Sequence, residues 1–215
     1  MRLTLLTALI MMLAAPISAQ TYQLSFGGGS IGTLSYSPSR VASNVTSAPM
    51  GVGNGQFEAT VQNVTRANGD AVVQYLSKSP AKGRTISVLY KDGSVVETVV
   101  TPTGDQTALS DISAVPAGVT TPIVALGHLI NATGCPSDLT FYEGRRAVKI
   151  TATGRSQNGT ILVCDMSYRV THGPGHLSPL FIKNAKLSAT YDTSSAQQLT
   201  QMSISSGPFT LYVTR

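Results

Sequence analysis

The chain has no tryptophan, three histidines and two cysteines in 215 residues, and only 12% of those residues are charged. Each scarcity excludes something. Without tryptophan, and with aromatics at 6%, the Cys…Trp…Cys core of an immunoglobulin-type sandwich is absent. No basic run exceeds the pair Arg145 and Arg146, so the broad cationic footprint required by a phosphate backbone is missing and no nucleic-acid partner is expected. Neither cysteine has another Cys or His within four residues, so no metal-ligand spacing is present. No Gly-x-Ser-x-Gly elbow occurs, and the ten acids are scattered singly, mostly at turns such as Asp70, Asp92 and Asp138. No catalytic residue and no cofactor is expected.

The N-terminus carries the longest apolar run, Leu3 to Ala15, behind Arg2 and ahead of Pro16, Ser18 and Ala19. That run is shorter than the roughly 20 residues of a spanning helix, and the pattern reads as a secretory signal peptide over residues 1–19, cleaved near Ala19. No cysteine follows it, so lipidation there is not expected, and nothing downstream resembles a membrane span. Residues 20–215 then form one domain. Without Arg2 they hold fourteen basic and ten acidic residues, a net charge of +4. In an oxidising compartment Cys135 and Cys164 are expected to form a disulfide. Closing a loop of roughly 30 residues is worth about 3.5 kcal/mol in the chain-entropy model.

Beyond the leader, apolar and polar residues alternate at period two between glycine-rich breaks. Tyr22, Leu24 and Phe26 share one face before a turn at Gly27 to Gly29, and Leu34 and Tyr36 resume it. The triple glycine lies between two strands rather than before a helix, so it is not read as a phosphate-cradling loop. Hairpins are expected about Asn68 and Gly69, Asp92 and Gly93, and Asn158 and Gly159, with a final pair of strands closing the chain. Segments 37–55 and 101–119 read as loops. One stretch from Thr120 to Asn131 departs from the β pattern: Thr121 precedes Pro122, and Ile123, Leu126 and Ile130 recur at near-helical spacing, which predicts a short helix plugging a curved sheet. Some ten strands joined by hairpins give a mainly β fold, a single antiparallel sheet curled into an open or spiral barrel.

Three features hold chemistry-bearing residues. His172 and His176 flank Gly173, Pro174 and Gly175, where no helix aligns the two rings, so they read as a surface turn, with metal binding the rival. His128 falls within the expected helix; a hydrolase built on His128, His172 or His176 is the enzymatic alternative. In "FYEGRRAVKI" Glu143 and Gly144 form a β corner and Arg145 and Arg146 start the returning strand, facing opposite sides. An inward guanidinium persists only if paired, with Glu143 or Asp165 as the carboxylate; the two arginines are otherwise candidates for anion or partner binding.

The set Cys135, Gly144, Arg145, Arg146, Cys164 and Tyr168, following a short apolar helix, resembles the DUF3108 family of uncharacterised exported proteins, especially its alphaproteobacterial members, over residues 121–215. Glu143 stands where the family would have Asp, and the "HGPGH" turn has no counterpart. The resemblance implies a periplasmic protein with a spiral antiparallel barrel beside a short helix, similar to envelope carriers that hold acyl chains or partner proteins. The expected function is therefore non-enzymatic cell-envelope maintenance, through a lipid-like ligand or an envelope protein bound on a concave β surface. A purely structural envelope role is the further alternative.

Overall fold

The computed structural model describes residues 19–47, 55–176, 182–194 and 198–215. The expected leader lies outside them, Ala19 excepted. Thirteen strands build one antiparallel sheet. The first seven are β1 (Gln20–Phe26), β2 (Gly29–Ser37), β3 (Arg40–Val45), β4 (Gly55–Thr65), β5 (Ala71–Ser79), β6 (Arg84–Lys91) and β7 (Ser94–Thr101). The other six are β8 (Leu139–Tyr142), β9 (Ala147–Asn158), β10 (Ile161–His172), β11 (Asn184–Asp192), β12 (Gln198–Ser206) and β13 (Phe209–Thr214).

The chain enters in the middle of the sheet at β1, meanders to one edge at β7, crosses to the opposite edge at β8, and meanders back to β13 beside β1. Leu24 stands opposite Val213 in the pairing that joins the two meanders. The count exceeds the ten expected because β3 lies within segment 37–55, which reads as a loop, because the four-residue β8 leads into the corner, and because the closing stretch yields three strands rather than two. At β3 and in the closing stretch Ser- and Asn-rich strands are held by neighbours on each side, Ala42 by Ser35 and Glu58, Ser203 by Ser188 and Tyr212, so tertiary pairing overrides weak propensity. The hairpins about Gly69 and Asp92–Gly93 form as expected, and Asp92 itself takes a positive φ. At Asn158 the turn is displaced by one residue, onto Gly159 and Thr160, because Asn158 still pairs with Ile161.

In place of tryptophan, tyrosine supplies the bulk of the core. Tyr22, Tyr142 and Tyr191 are fully buried, and each hydroxyl has an acceptor: Gln20 Oε1 at 2.7 Å, Leu109 O, and Leu129 O at 2.7 Å. A buried phenol needs such a partner to avoid an unmet desolvation cost. The last of these bonds fixes the helix α1 (Pro122–Ile130), which forms close to the expected bounds. Thr121 Oγ1 caps it by accepting from Val124 N at 3.2 Å, and Pro122 occupies the first turn, where its missing N–H costs nothing. Ile123, Ala125, Leu129 and Ile130 point into the core shared with Tyr22, Tyr36 and Tyr191. The concave side of the sheet is thus occupied by its own helix.

The edges β7 and β8 share no ladder, so the sheet is not closed, and side chains bridge the two edges along a seam. Tyr142 on β8 accepts at its carbonyl from Tyr90 Oη at 2.5 Å, and its hydroxyl lies 3.2 Å from Thr98 Oγ1 of β7. Segment 101–119, read as a loop, begins with the last residue of β7 and contains three short 3-10 turns that lie along this seam.

Candidate functional site: the arginine corner and the HGPGH turn

The ladder between β8 and β9 ends at Tyr142 opposite Ala147, and Glu143 N donates to Arg146 O at 3.3 Å. Residues 143–146 are therefore a four-residue corner. Arg145 and Arg146 belong to the turn rather than to the returning strand as the sequence suggests, because the register leaves them no partners on β8. Gly144 has a φ of 99°, and a Cβ there would overlap Ile86 Cγ2 across the seam, so only glycine fits. The two arginines still differ in exposure: Arg146 is 7% exposed and Arg145 half-buried.

Arg146 Nε lies 3.0 Å from Glu143 Oε1. The N–H is not directed at that oxygen, and neither atom has a directed partner among the described residues, so this is a charge contact rather than a hydrogen bond. Burial pushes the Glu143 carboxyl up from its ordinary value, while Arg146, and then Arg145 and Arg84, pull it back. The other end of the guanidinium meets the HGPGH turn. Nη1 donates to Gly175 O at 3.3 Å and lies 2.6 Å from His176 Nδ1. Guanidinium has no acceptor, so Nδ1 must accept and the ring proton resides on Nε2. Nε2, 2.5 Å from Tyr168 Oη, then donates to the phenol. The imidazole consequently cannot take a proton from Tyr168 at that nitrogen, and the Tyr168–His176–Arg146–Glu143 chain clamps two turns together rather than activating a nucleophile. Burial, followed by the Arg146 and Lys82 charges, lowers the His176 pKa to about 3, so the ring stays neutral. The close fit is backbone-deep: a Cβ on Gly173 would overlap Arg145 O and Arg146 Cα.

Arg145 faces the seam segment. Its Nε donates to Asp105 O at 2.6 Å, and Asp105 Oδ2 takes Arg84 Nε at 2.6 Å. Thr107 Oγ1 donates to Arg145 O at 2.8 Å and Ser110 Oγ to Gly144 O at 3.2 Å. Burial and the Arg84 charge beside it lower the Arg145 pKa.

The carboxylate for the inward arginine is Glu143. Asp165, the other candidate, lies on the outer face of β10 and accepts from Ser188 Oγ at 2.8 Å. Cys135 and Cys164 form a disulfide with Cα atoms 5.4 Å apart, tying the segment after α1 to β10. His172 is exposed and 3.1 Å from Thr171 Oγ1, while His176 is committed to Arg146 and Tyr168. Among the described residues no group of three His, Cys, Asp or Glu side chains gathers to hold a metal. His128 lines an open depression of about 600 Å³ at the barrel mouth with Tyr36, Val124, Asn131 and Thr133. The partnership of Asp105, Thr107 and Ser110 with the corner has no sequence signal, because it spans some 34 to 40 residues between unpatterned segments.

No family model matches the chain, and no curated protein matches it. A solved structure, the beta-barrel-like protein of domain of unknown function DUF1849 from Brucella abortus, is similar at 11% identity and a TM-score of 0.40, over 91% of this chain and 93% of that one. The likeness to DUF3108 rests on the corner, the two cysteines and Tyr168 alone.

Proposed function

We propose that the chain is a non-enzymatic periplasmic protein of the bacterial cell envelope that recognises a partner protein, and that it carries no lipid within its barrel. The supporting observation is the filled interior: α1 and the buried tyrosines occupy the concave face on which an acyl chain would lie. Beside the helix lies the depression at the mouth, lined by Tyr36, Val124, His128 and Asn131. Val124 is 38% exposed there, an apolar side chain on the outward face of a helix whose inward face is anchored. The Cys135–Cys164 disulfide holds the far wall, residues 132–137, against β10, so the surface is preorganised for binding.

Native mass spectrometry of the exported protein tests the first half of this reading. The protein mass alone is expected, and a co-purifying hydrophobic ligand would overturn it in favour of a carrier. A photocrosslinker at His128 tests the second half. It should give one discrete adduct in the periplasm that disappears in the Val124→Asp protein and is absent when the crosslinker stands at Arg155. No adduct, or one insensitive to Val124→Asp, would overturn partner recognition at the mouth.

A further inference from the structure

The outer face of β9 to β11 gathers three exposed cations on neighbouring strands. Register places Lys149 of β9 directly opposite Arg169 of β10, which in turn stands opposite Asn184 of β11. Two residues beyond Asn184, Lys186 pairs with Ser167 on one side and Ser205 on the other. Lys149, Arg169 and Lys186 are all exposed, and none forms an ion pair among the described residues. Like charges set directly opposite each other across two strands destabilise a sheet unless something neutralises them. The acids of this half of the chain form no ion pair with them among the described residues. Glu143 is buried with Arg146, Asp138 accepts from Ala152 N at 3.0 Å and Asp192 from Ser194 N at 2.8 Å, while Asp165, which accepts from Ser188, shares the face and lines one of its depressions with Lys186.

The same face is dense in hydroxyls. Two adjoining depressions, of about 590 and 750 Å³, share Ser167, Lys186 and Ser205 in their walls. Farther along the face Tyr212 stands opposite Ser203 and is 39% exposed. Cations, hydroxyl donors and an amphipathic aromatic on one sheet face are the groups that meet a bilayer at its headgroups.

We propose that this face is a docking surface for an anionic phospholipid membrane, whose phosphates are contacted by Lys149, Arg169 and Lys186. A membrane fits better than a single small phosphate because the three cations sit on neighbouring strands spaced roughly 4.8 Å apart, spread over a surface instead of converging on a point. With three charges, the attachment is reversible and salt-sensitive. The surface lies apart from the mouth depression, so its failure and the failure of partner recognition are separate results.

The test is co-sedimentation of the exported protein with vesicles of phosphatidylcholine alone or with roughly one-third phosphatidylglycerol. Binding is expected to the anionic vesicles only, and to be lost at about 0.5 M salt. The Lys149→Gln/Arg169→Gln/Lys186→Gln protein, whose changes are all at exposed positions, should lose on the order of a hundredfold in partitioning. An Arg40→Gln control should partition like the unaltered protein, and thermal melts confirm that all are folded. No binding to anionic vesicles, equal binding by the triple variant, or equal binding to neutral vesicles would overturn the proposal. Stripping of the protein by millimolar glycerol phosphate would overturn it too, in favour of a discrete phosphate pocket.

Discussion

The two meanders treat charge in opposite ways. Across β1 to β7 three cations have ion-pair partners, Arg40 with Glu58 at 2.8 Å, Arg66 with Glu97 at 3.2 Å and Lys91 with Asp70 at 2.6 Å, and the exposed Lys78 stands opposite Glu58 in the ladder. Across β8 to β13 the exposed cations go unmatched, and the one ion pair found among the described residues is the buried Glu143–Arg146 contact at the corner. Position decides what each arrangement does. Exposed pairs contribute little because water and salt already screen them, about 0 to 1 kcal/mol each. A buried pair adds little net stability either, but leaving half of it behind strands a charge out of water. The first meander is thus indifferent to its ion pairs, and the second depends on one.

The sharpest way to break this contrast is Arg146→Ala, which strands the Glu143 carboxylate; urea unfolding should show a loss of about 3–5 kcal/mol. The double change Glu143→Gln/Arg146→Met should recover most of that loss, and equal losses in the two proteins would show that packing matters there rather than charge. Replacing both cysteines by alanine removes the staple unique to the second meander. It should cost about 3.5 kcal/mol in the same measurement, with no free thiol detectable in the unaltered protein after denaturation without reductant.

Next in size is a pH effect confined to the corner. The His176 pKa is depressed to about 3, so between about pH 6.5 and pH 3 the unfolded chain takes up a proton that the native ring refuses. Stability should therefore fall with falling pH, by up to about 1.4 kcal/mol per unit, and His176→Gln should remove that slope. Glu143, raised by burial, contributes in the opposite sense: as pH falls toward its raised value the native state takes up a proton first. The difference between the two proteins isolates the histidine. The smallest effect belongs to the first meander. Arg40→Gln should change stability by less than about 1 kcal/mol, and that change should vanish in high salt.

Much of the sheet was legible because alternation and turn chemistry are local. Asp92–Gly93 announces its hairpin, and Thr121–Pro122 announces its helix, whatever the rest of the chain does. Strand β3 was not legible, since "RVASNV" has little apolar content and becomes a strand only between two neighbours. At the corner, the identity of Glu143 and Gly144 as the turn could be read, and the need to pair an inward arginine follows from the cost of burying a charge. Which arginine turns inward could not be read, because the alternation rule applies to paired strand residues and the ladder stops one residue short of Glu143. The role of His176 was hidden for a similar reason. Its partner lies 30 residues away, across a turn whose glycines suggest only looseness.

The single pairing between β1 and β13 has a kinetic consequence. Within each meander, neighbouring strands are also neighbours in sequence, so each can zip hairpin by hairpin with short loop closures. The β1–β13 ladder at Leu24 and Val213 must instead bring together residues nearly a whole chain apart, the slow kind of contact. Until it forms, both half-sheets present a bare strand edge of matching register. At high concentration a second copy competes for that edge, so the natural misfolded form of this architecture is an exchanged dimer in which one chain's β1 zips onto the other's β13.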